Sequence, residues 1–223
     1  MDYYDVVVTG GSYAGLSCAC SAAGQGLKTL VLERKCDLGE KIRTTGIFVG
    51  EAADALSVPE AMKRNIGGVR LYAPNGKWVD LKSPGYGFQA IDTSELMRWM
   101  GRRVEFNGGE IWKGCNVRSV REVEDGIEFF DSGVKGGFGV GADGARSNFG
   151  KLLGFDENSE FLVGAEVEMS GLKGVDADRL HVYLDSELAP GYIAWVVPGV
   201  GVTQIGLAVR KPHKPNLSKF LEK

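Results

Sequence analysis

Apolar residues run along this chain in two different periods. At Asp5–Thr9 (DVVVT) and Lys28–Leu32 (KTLVL) they are nearly continuous and rich in β-branched side chains, the pattern of short parallel strands buried on both faces. Between these strands, Gly10–Gly15 is a glycine-rich turn and Leu16–Gly26 a helical stretch of small residues, so the segment reads as one βαβ unit that delivers Glu33 at its end. A short amphipathic helix is predicted from about Glu51 to Leu56. The period then shortens. GVRLYAP and KWVDLKS flank Asn75-Gly76, a dipeptide suited to positive φ, which predicts a hairpin within 68–91. Asp92-Thr93-Ser94-Glu95 opens a helix with Leu96, Trp99 and Met100 on one face. From Glu110 short strands alternate with turns, in EIWKGCNVRSV, REVEDGIEFFDS and VKGGFGVGADGARS. FLVGAEVEMSG, DRLHVYLD, GYIAWVVPG and VTQIGLAVR are four further strands, expected to join the 68–91 hairpin in one antiparallel sheet ahead of the polar KPHKPNLSKFLEK.

The first turn carries the chemistry. A helix N-terminus offers amide donors and the positive end of the helix dipole, so a pyrophosphate docks there if the backbone can come close. Gly10 serves the tight exit from the strand and Gly15 the packing of the helix, while Gly11, Ser12 and Ala14 line the approach. Ser12 stands where the G-x-G-x-x-G pattern has its second glycine. Glu33, at the end of the next strand and followed by Arg34, is placed to accept hydrogen bonds from a ribose hydroxyl. Arg43-Thr44-Thr45-Gly46 follows as a polar loop, either lying over a cofactor or serving as a plain connection. Gly141-Ala142-Asp143-Gly144 is a second strand-end turn, where the aspartate either meets a sugar or polyol hydroxyl or caps its own turn.

Composition narrows the classes. The 223 residues are 43% hydrophobic, enough for one large or two small cores, and 26 Lys and Arg against 29 Asp and Glu give a net charge of −3, which recommends no nucleic-acid partner. The 33 glycines are scattered through turns without a repeat. Cys18, Cys20, Cys36 and Cys115 form no C-x-x-C pair and read as idle thiols of a reducing, cytoplasmic setting, and no metal site is expected. Asp2 and Asp5 precede the first apolar stretch, and glycines and serines interrupt it, so it reads as neither a secretory signal nor a membrane span.

Three separated stretches, DVVVTGGSYAGLS with Glu33, GADGARS, and APGYIAWVVPGVGVTQIGLAV, resemble the geranylgeranyl reductase family of FAD-dependent oxidoreductases, which shares the fold of para-hydroxybenzoate hydroxylase. The resemblance implies an α/β protein: a Rossmann-like FAD-binding domain (1–67 and 92–158) with an inserted antiparallel β-sheet substrate domain (68–91 and 159–213) and a tail from 214. It implies that Gly10, Gly15 and Glu33 hold the ADP half of FAD and that Asp143-Gly144 sits beside the pyrophosphate and ribityl chain. Tyr192, Trp195 and Pro198 then belong to the substrate side, with core packing as the alternative for Trp195. The implied activity is reduction of carbon–carbon double bonds in an isoprenoid or similar apolar substrate, with NAD(P)H or a ferredoxin as electron donor and peripheral membrane contact. A flavin monooxygenase or halogenase on the same scaffold is the rival reading, and a fragment without activity a third. Tyr192 stands three residues before Trp195 where relatives have two, and Lys41-Ile42-Arg43-Thr44-Thr45-Gly46 stands in place of a lysine-proline-cysteine-glycine stretch. Relatives carry a third glycine-aspartate FAD motif that has no counterpart before Lys223, so the chain is expected to be the N-terminal part of a longer protein with little or no activity of its own.

Overall fold

The protein is described here by a computed structural model that covers residues 1–222. In chain order its elements are β1 (Asp2–Thr9), α1 (Tyr13–Gly24), β2 (Thr29–Glu33), β3 (Ile47–Val49), α2 (Gly50–Ala55), a 3-10 turn at Glu60–Met62, β4 (Lys63–Ile66), β5 (Val69–Tyr72), β6 (Trp78–Leu81), β7 (Phe88–Ile91) and α3 (Thr93–Phe106). They continue as β8 (Glu110–Lys113), β9 (Val120–Val123), β10 (Gly126–Phe129), β11 (Val134–Gly141), α4 (Asn148–Leu152), β12 (Leu162–Met169), β13 (Leu180–Tyr183), β14 (Ala194–Pro198), β15 (Thr203–Arg210) and α5 (Leu217–Leu221). They fold into two compact units, one of residues 1–42 and 93–159, the other of 43–92 and from 160 onward.

The first unit is built on the valine run of β1. Val6, Val7 and Val8 are buried, which suits a strand with neighbours on both edges. The sheet order is β8-β2-β1-β11-β10-β9, with β8, β2, β1 and β11 parallel and β10 and β9 added antiparallel. Small residues let α1 lie close: Gly15, Leu16, Ala19 and Ala23 are its buried positions, and the Asn107 amide donates to the Cys20 carbonyl oxygen at 3.1 Å. On α3 the buried stripe is Thr93, Leu96, Met97, Met100, Gly101 and Val104. Of the expected face Leu96 and Met100 are buried, while Trp99 lies outside that stripe, with the Arg103 guanidinium 4.7 Å from its ring centroid. β10 pairs with β11 only over Val134–Gly136, while β1 pairs with it as far as Gly141.

The second unit has a six-stranded sheet in the order β12-β15-β14-β13-β5-β6. The hairpin joins the four late strands in it, as expected, but the junction of β13 with β5 is parallel, so the sheet is mixed. The hairpin turn also departs from expectation. Only Gly76 has positive φ (+78°), the Gly76 N–H reaches the Ala73 carbonyl at 3.0 Å, and the Asn75 side chain accepts from the Lys77 N–H at 3.1 Å, so this is a turn with one left-handed residue. A three-stranded sheet, β3-β7-β4, supplies the second layer, and Ile66, Ala90, Leu180, Val182, Trp195, Val197 and Ala208 form the core.

That small sheet explains why residues 43–67 fold with the second unit and not, as the sequence suggested, with the first. β3 and β4 take the two edges of β7, with Ile47 and Arg64 both opposite Ala90. IFV is too short and KRNI too polar to announce this pairing by period. Residues beyond 213 are also more than a tail: Phe220 of α5 is buried with Leu188, Ile205, Leu207 and Val209 and meets Tyr183 edge to face at 5.1 Å.

Candidate functional site

Two turns of the first unit meet at the ends of β1 and β11. Gly10 (φ +103°) ends β1, and a Cβ built on it would lie 2.3 Å from the carbonyl oxygen of Ala142. The Ala142 N–H donates to the Thr9 carbonyl at 2.8 Å, which holds the GADGARS turn against the first turn. A Cβ on Gly15 would lie 1.9 Å from the Gly10 carbonyl oxygen, so α1 can leave the turn at this angle only with glycine there. The helix begins at Tyr13, three residues earlier than the apolar pattern suggested, with Ser12 at the capping position. The Ser12 hydroxyl makes no cap hydrogen bond, and no acidic side chain stands in the first turn. The positive end of a 12-residue helix dipole is thereby presented with no acid of the helix's own first turn to answer it and with Ala14 exposed beside it, which suits a pyrophosphate.

Glu33 has a second job. It is buried, at 4% exposure, and its Oε2 accepts from the Gly11 N–H at 2.5 Å while Oε1 accepts from the Lys35 N–H at 2.8 Å. The carboxylate therefore fastens the glycine turn to the end of β2, and each oxygen keeps a further lone pair. The loop after β2 packs beneath this arrangement. A Cβ on Gly11 would lie 2.8 Å from Leu38 Cδ2, the Ser94 hydroxyl donates to the Gly39 carbonyl at 2.8 Å, and Arg98 Nε and Nη2 bind the two Asp37 oxygens at 3.0 and 3.1 Å. The Arg98 hydrogen bonds hold the Asp37 carboxyl below its ordinary value of 3.8. The sequence signal for this clamp was the Asp37-Leu38-Gly39 turn, whose partner on α3 could not be read.

Asp143 makes the contacts of its second reading. Its oxygens accept from the Ser147 hydroxyl at 2.5 Å and the N–H groups of Asn148 and Phe149 at 2.7 and 3.0 Å, so it caps the start of α4. Gly144 (φ +98°) leaves open space where a side chain would stand. Arg34 is exposed. Arg43, Thr44 and Thr45 open the second unit, the first two exposed and the third half-buried.

In the second unit Trp195 is core, at 4% exposure, and its ring covers Gly206, where a Cβ would lie 2.6 Å from the indole. The indole N–H donates to Glu166 Oε2 at 2.7 Å. Sequence reasoning missed Glu166, which the FLVGAEVEMSG pattern marks only as one polar position of an alternating strand. Loss of solvation raises its carboxyl, against the Trp195 hydrogen bond that lowers it, and the charge of Glu168 on the same strand adds to the rise. Gln204, buried and on the same sheet face opposite Val197, leaves its Oε1 without a hydrogen-bond partner among the described residues. Pro198 is buried and Tyr192 exposed. No group of three or more His, Cys, Asp or Glu among the described residues could hold a metal ion, and no helix there is long and apolar enough to cross a membrane.

No protein-family model matches the chain. It is 27% identical to the digeranylgeranylglycerophospholipid reductase of Methanocaldococcus jannaschii, over 99% of this chain and 60% of that protein. It is 29% identical to digeranylgeranylglycerophospholipid reductase 2 of Methanopyrus kandleri, over 93% of this chain and 55% of that one. The chain thus spans somewhat more than half the length of these curated relatives. Among solved structures, a geranylgeranyl bacteriochlorophyll reductase-like protein from Thermoplasma acidophilum superposes with a TM-score of 0.84 at 24% identity, covering all of this chain and 62% of its own. The halogenase PltM, solved with phloroglucinol and FAD, superposes at 0.73 and 16% identity, covering 98% of this chain and 55% of its own. These two show the fold, an α/β protein whose Rossmann-like unit is accompanied by a β-sheet unit. Along nearly its whole length the chain is similar to digeranylgeranylglycerophospholipid reductases, and its resemblance to the geranylgeranyl reductase family holds.

Proposed function

We propose that this chain binds FAD and serves the reduction of carbon–carbon double bonds in an isoprenoid lipid. The observation that carries the reading is similarity to digeranylgeranylglycerophospholipid reductases over 93–99% of the chain, joined to a glycine turn that fits a dinucleotide. FAD, when bound and reduced, supplies hydride to the double bond. Gly10, Gly11, Ser12, Ala14 and Gly15 would hold its pyrophosphate by backbone approach and helix dipole. Glu33 keeps the turn in shape and, with Arg34, would meet the adenosine end; the Gly144 turn would serve the chain beyond the phosphates. Arg43, Thr44 and Thr45 are cofactor contacts on the family resemblance. In the second unit Tyr192 and Pro198 would border the lipid, with Trp195 supporting that surface from within the core. A nicotinamide nucleotide or a ferredoxin would return the electrons.

The test is anaerobic. The protein, supplied with FAD and dithionite, is incubated with a digeranylgeranylglycerophospholipid and the lipid is analysed by mass spectrometry. The reading predicts a gain of two hydrogens for each double bond reduced. Because little or no activity is expected of this chain alone, a chain that takes up no FAD would contradict the reading, and incorporation of oxygen into an aromatic compound under air with NADPH would move the assignment to a monooxygenase.

A further inference from the structure

Residues 73–86 leave the second unit as a hairpin tip, an edge strand and a loop in which every residue except Asp80 is exposed. Four large apolar side chains stand within it, Trp78 at 55% exposure, Val79 at 53%, Leu81 at 49% and Tyr86 at 47%. Val79 and Leu81 lie opposite Leu71 and Val69 on one face of the sheet, while Trp78 lies opposite Tyr72 on the other, with the Arg70 guanidinium 4.1 Å from its ring centroid. One face of the edge is therefore apolar, and the other carries Trp78 beside the Arg70–Asp80 pair. An exposed edge of this kind calls for a cover.

We propose that this edge docks, strand-edge first, on an anionic lipid surface. Tryptophan and tyrosine are the side chains that settle at a membrane–water boundary, one end apolar and one end wet. The charges suit an anionic surface. Lys77 and Lys82 bracket β6, and the segment's one acid, Asp80, is occupied by Arg70 through two hydrogen bonds of 2.7 and 2.9 Å. Lys82 stands 3.6 Å from Asp178, an exposed pair that yields readily to a denser field of phosphates. The segment is thus locally cationic in a chain whose net charge is −3. Docking stays shallow, because the outer backbone groups of β6 have no sheet partner and need water or headgroups. A second copy fits less well. Antiparallel pairing of β6 with itself, centred on Trp78–Leu81, would set Lys77 opposite Lys82 twice, and like charges directly opposite are destabilising.

The purpose of such a contact rests on the lipid-substrate reading, but its test uses neither flavin nor substrate, so either can fail alone. The purified chain is sedimented with phosphatidylcholine vesicles made with or without phosphatidylglycerol. Binding should require phosphatidylglycerol and weaken with salt. It should fall by at least about tenfold in Lys77→Glu/Lys82→Glu, from the loss of two charges at the surface, and similarly in Trp78→Ser/Leu81→Ser, while Phe106→Ser, at an exposed position of the first unit, leaves it unchanged. Circular dichroism checks that each variant keeps its fold. The proposal is overturned if the wild type stays in the supernatant, or if folded variants bind as the wild type does. It is equally overturned if light scattering shows a dimer that Trp78→Ser/Leu81→Ser dissociates, with no vesicle binding.

Discussion

Removing the Glu33 carboxylate should damage the protein before any nucleotide is added. In Glu33→Ala the N–H groups of Gly11 and Lys35 both lose their acceptor, and the first of these belongs to a buried residue. A hydrogen bond to a charged group contributes about 1.5–3 kcal/mol, so losing two should cost the first unit about 3–6 kcal/mol, a large part of a typical domain's 5–15. Glu33→Gln keeps one acceptor and turns an amide donor toward the other N–H, so it should lose about half as much. Urea unfolding followed by fluorescence gives the stability, and amide hydrogen exchange over residues 9–16 reports the turn itself. Exchange should accelerate in the order wild type, Gln, Ala, and FAD affinity should fall in the same order, by about 1–3 kcal/mol for Ala. An Ala variant within about 0.5 kcal/mol of wild type, with unchanged exchange in the turn, would refute the fastening role. Weakened FAD binding without destabilisation would leave Glu33 as a sugar contact alone.

Three further outcomes follow from the same geometry. Gly15→Ala puts a methyl group 1.9 Å from the Gly10 carbonyl and should abolish dinucleotide binding by opening the turn, checked by fluorescence titration with FAD beside circular dichroism. Asp143→Ala removes three hydrogen bonds at the start of α4 and should lower stability by about 1–2 kcal/mol in urea titration, with a smaller effect on FAD affinity than Glu33→Ala. Hydrogen bonds from Arg70 hold the Asp80 carboxyl at about 2, below its ordinary 3.8, so the stabilisation it provides is complete above the ordinary value and is lost as pH falls toward 2. Asp80→Asn should therefore flatten that acid limb of the stability–pH curve while leaving its alkaline limb in place.

Much of the first unit was legible because it depends on local residues. A valine run, glycines at fixed offsets and an acid at the next strand end state a βαβ unit within 35 residues of chain, and the structure builds it from those residues. The four late strands and the hairpin were legible for the same reason: each has its own period and turn signals. Long-range pairings were not. β3 and β4 are short or polar, and their strand character comes from β7 between them. The parallel junction of β13 with β5 leaves no mark in either strand. At the site the residue types were readable but the divisions of labour were not: the Glu33 and Asp143 carboxylates are spent on backbone N–H groups supplied by folding, and the Glu166 partner of Trp195 lies 29 residues away.

The most direct test is calorimetric titration of the chain with FAD and, separately, with NAD, in wild type and Gly15→Ala. The account predicts binding of one FAD per wild-type chain, much weaker binding of NAD, and loss of FAD binding in a Gly15→Ala protein whose circular dichroism is unchanged. A wild-type chain that takes up no FAD, or a folded Gly15→Ala chain that binds it as tightly as wild type, would contradict the account.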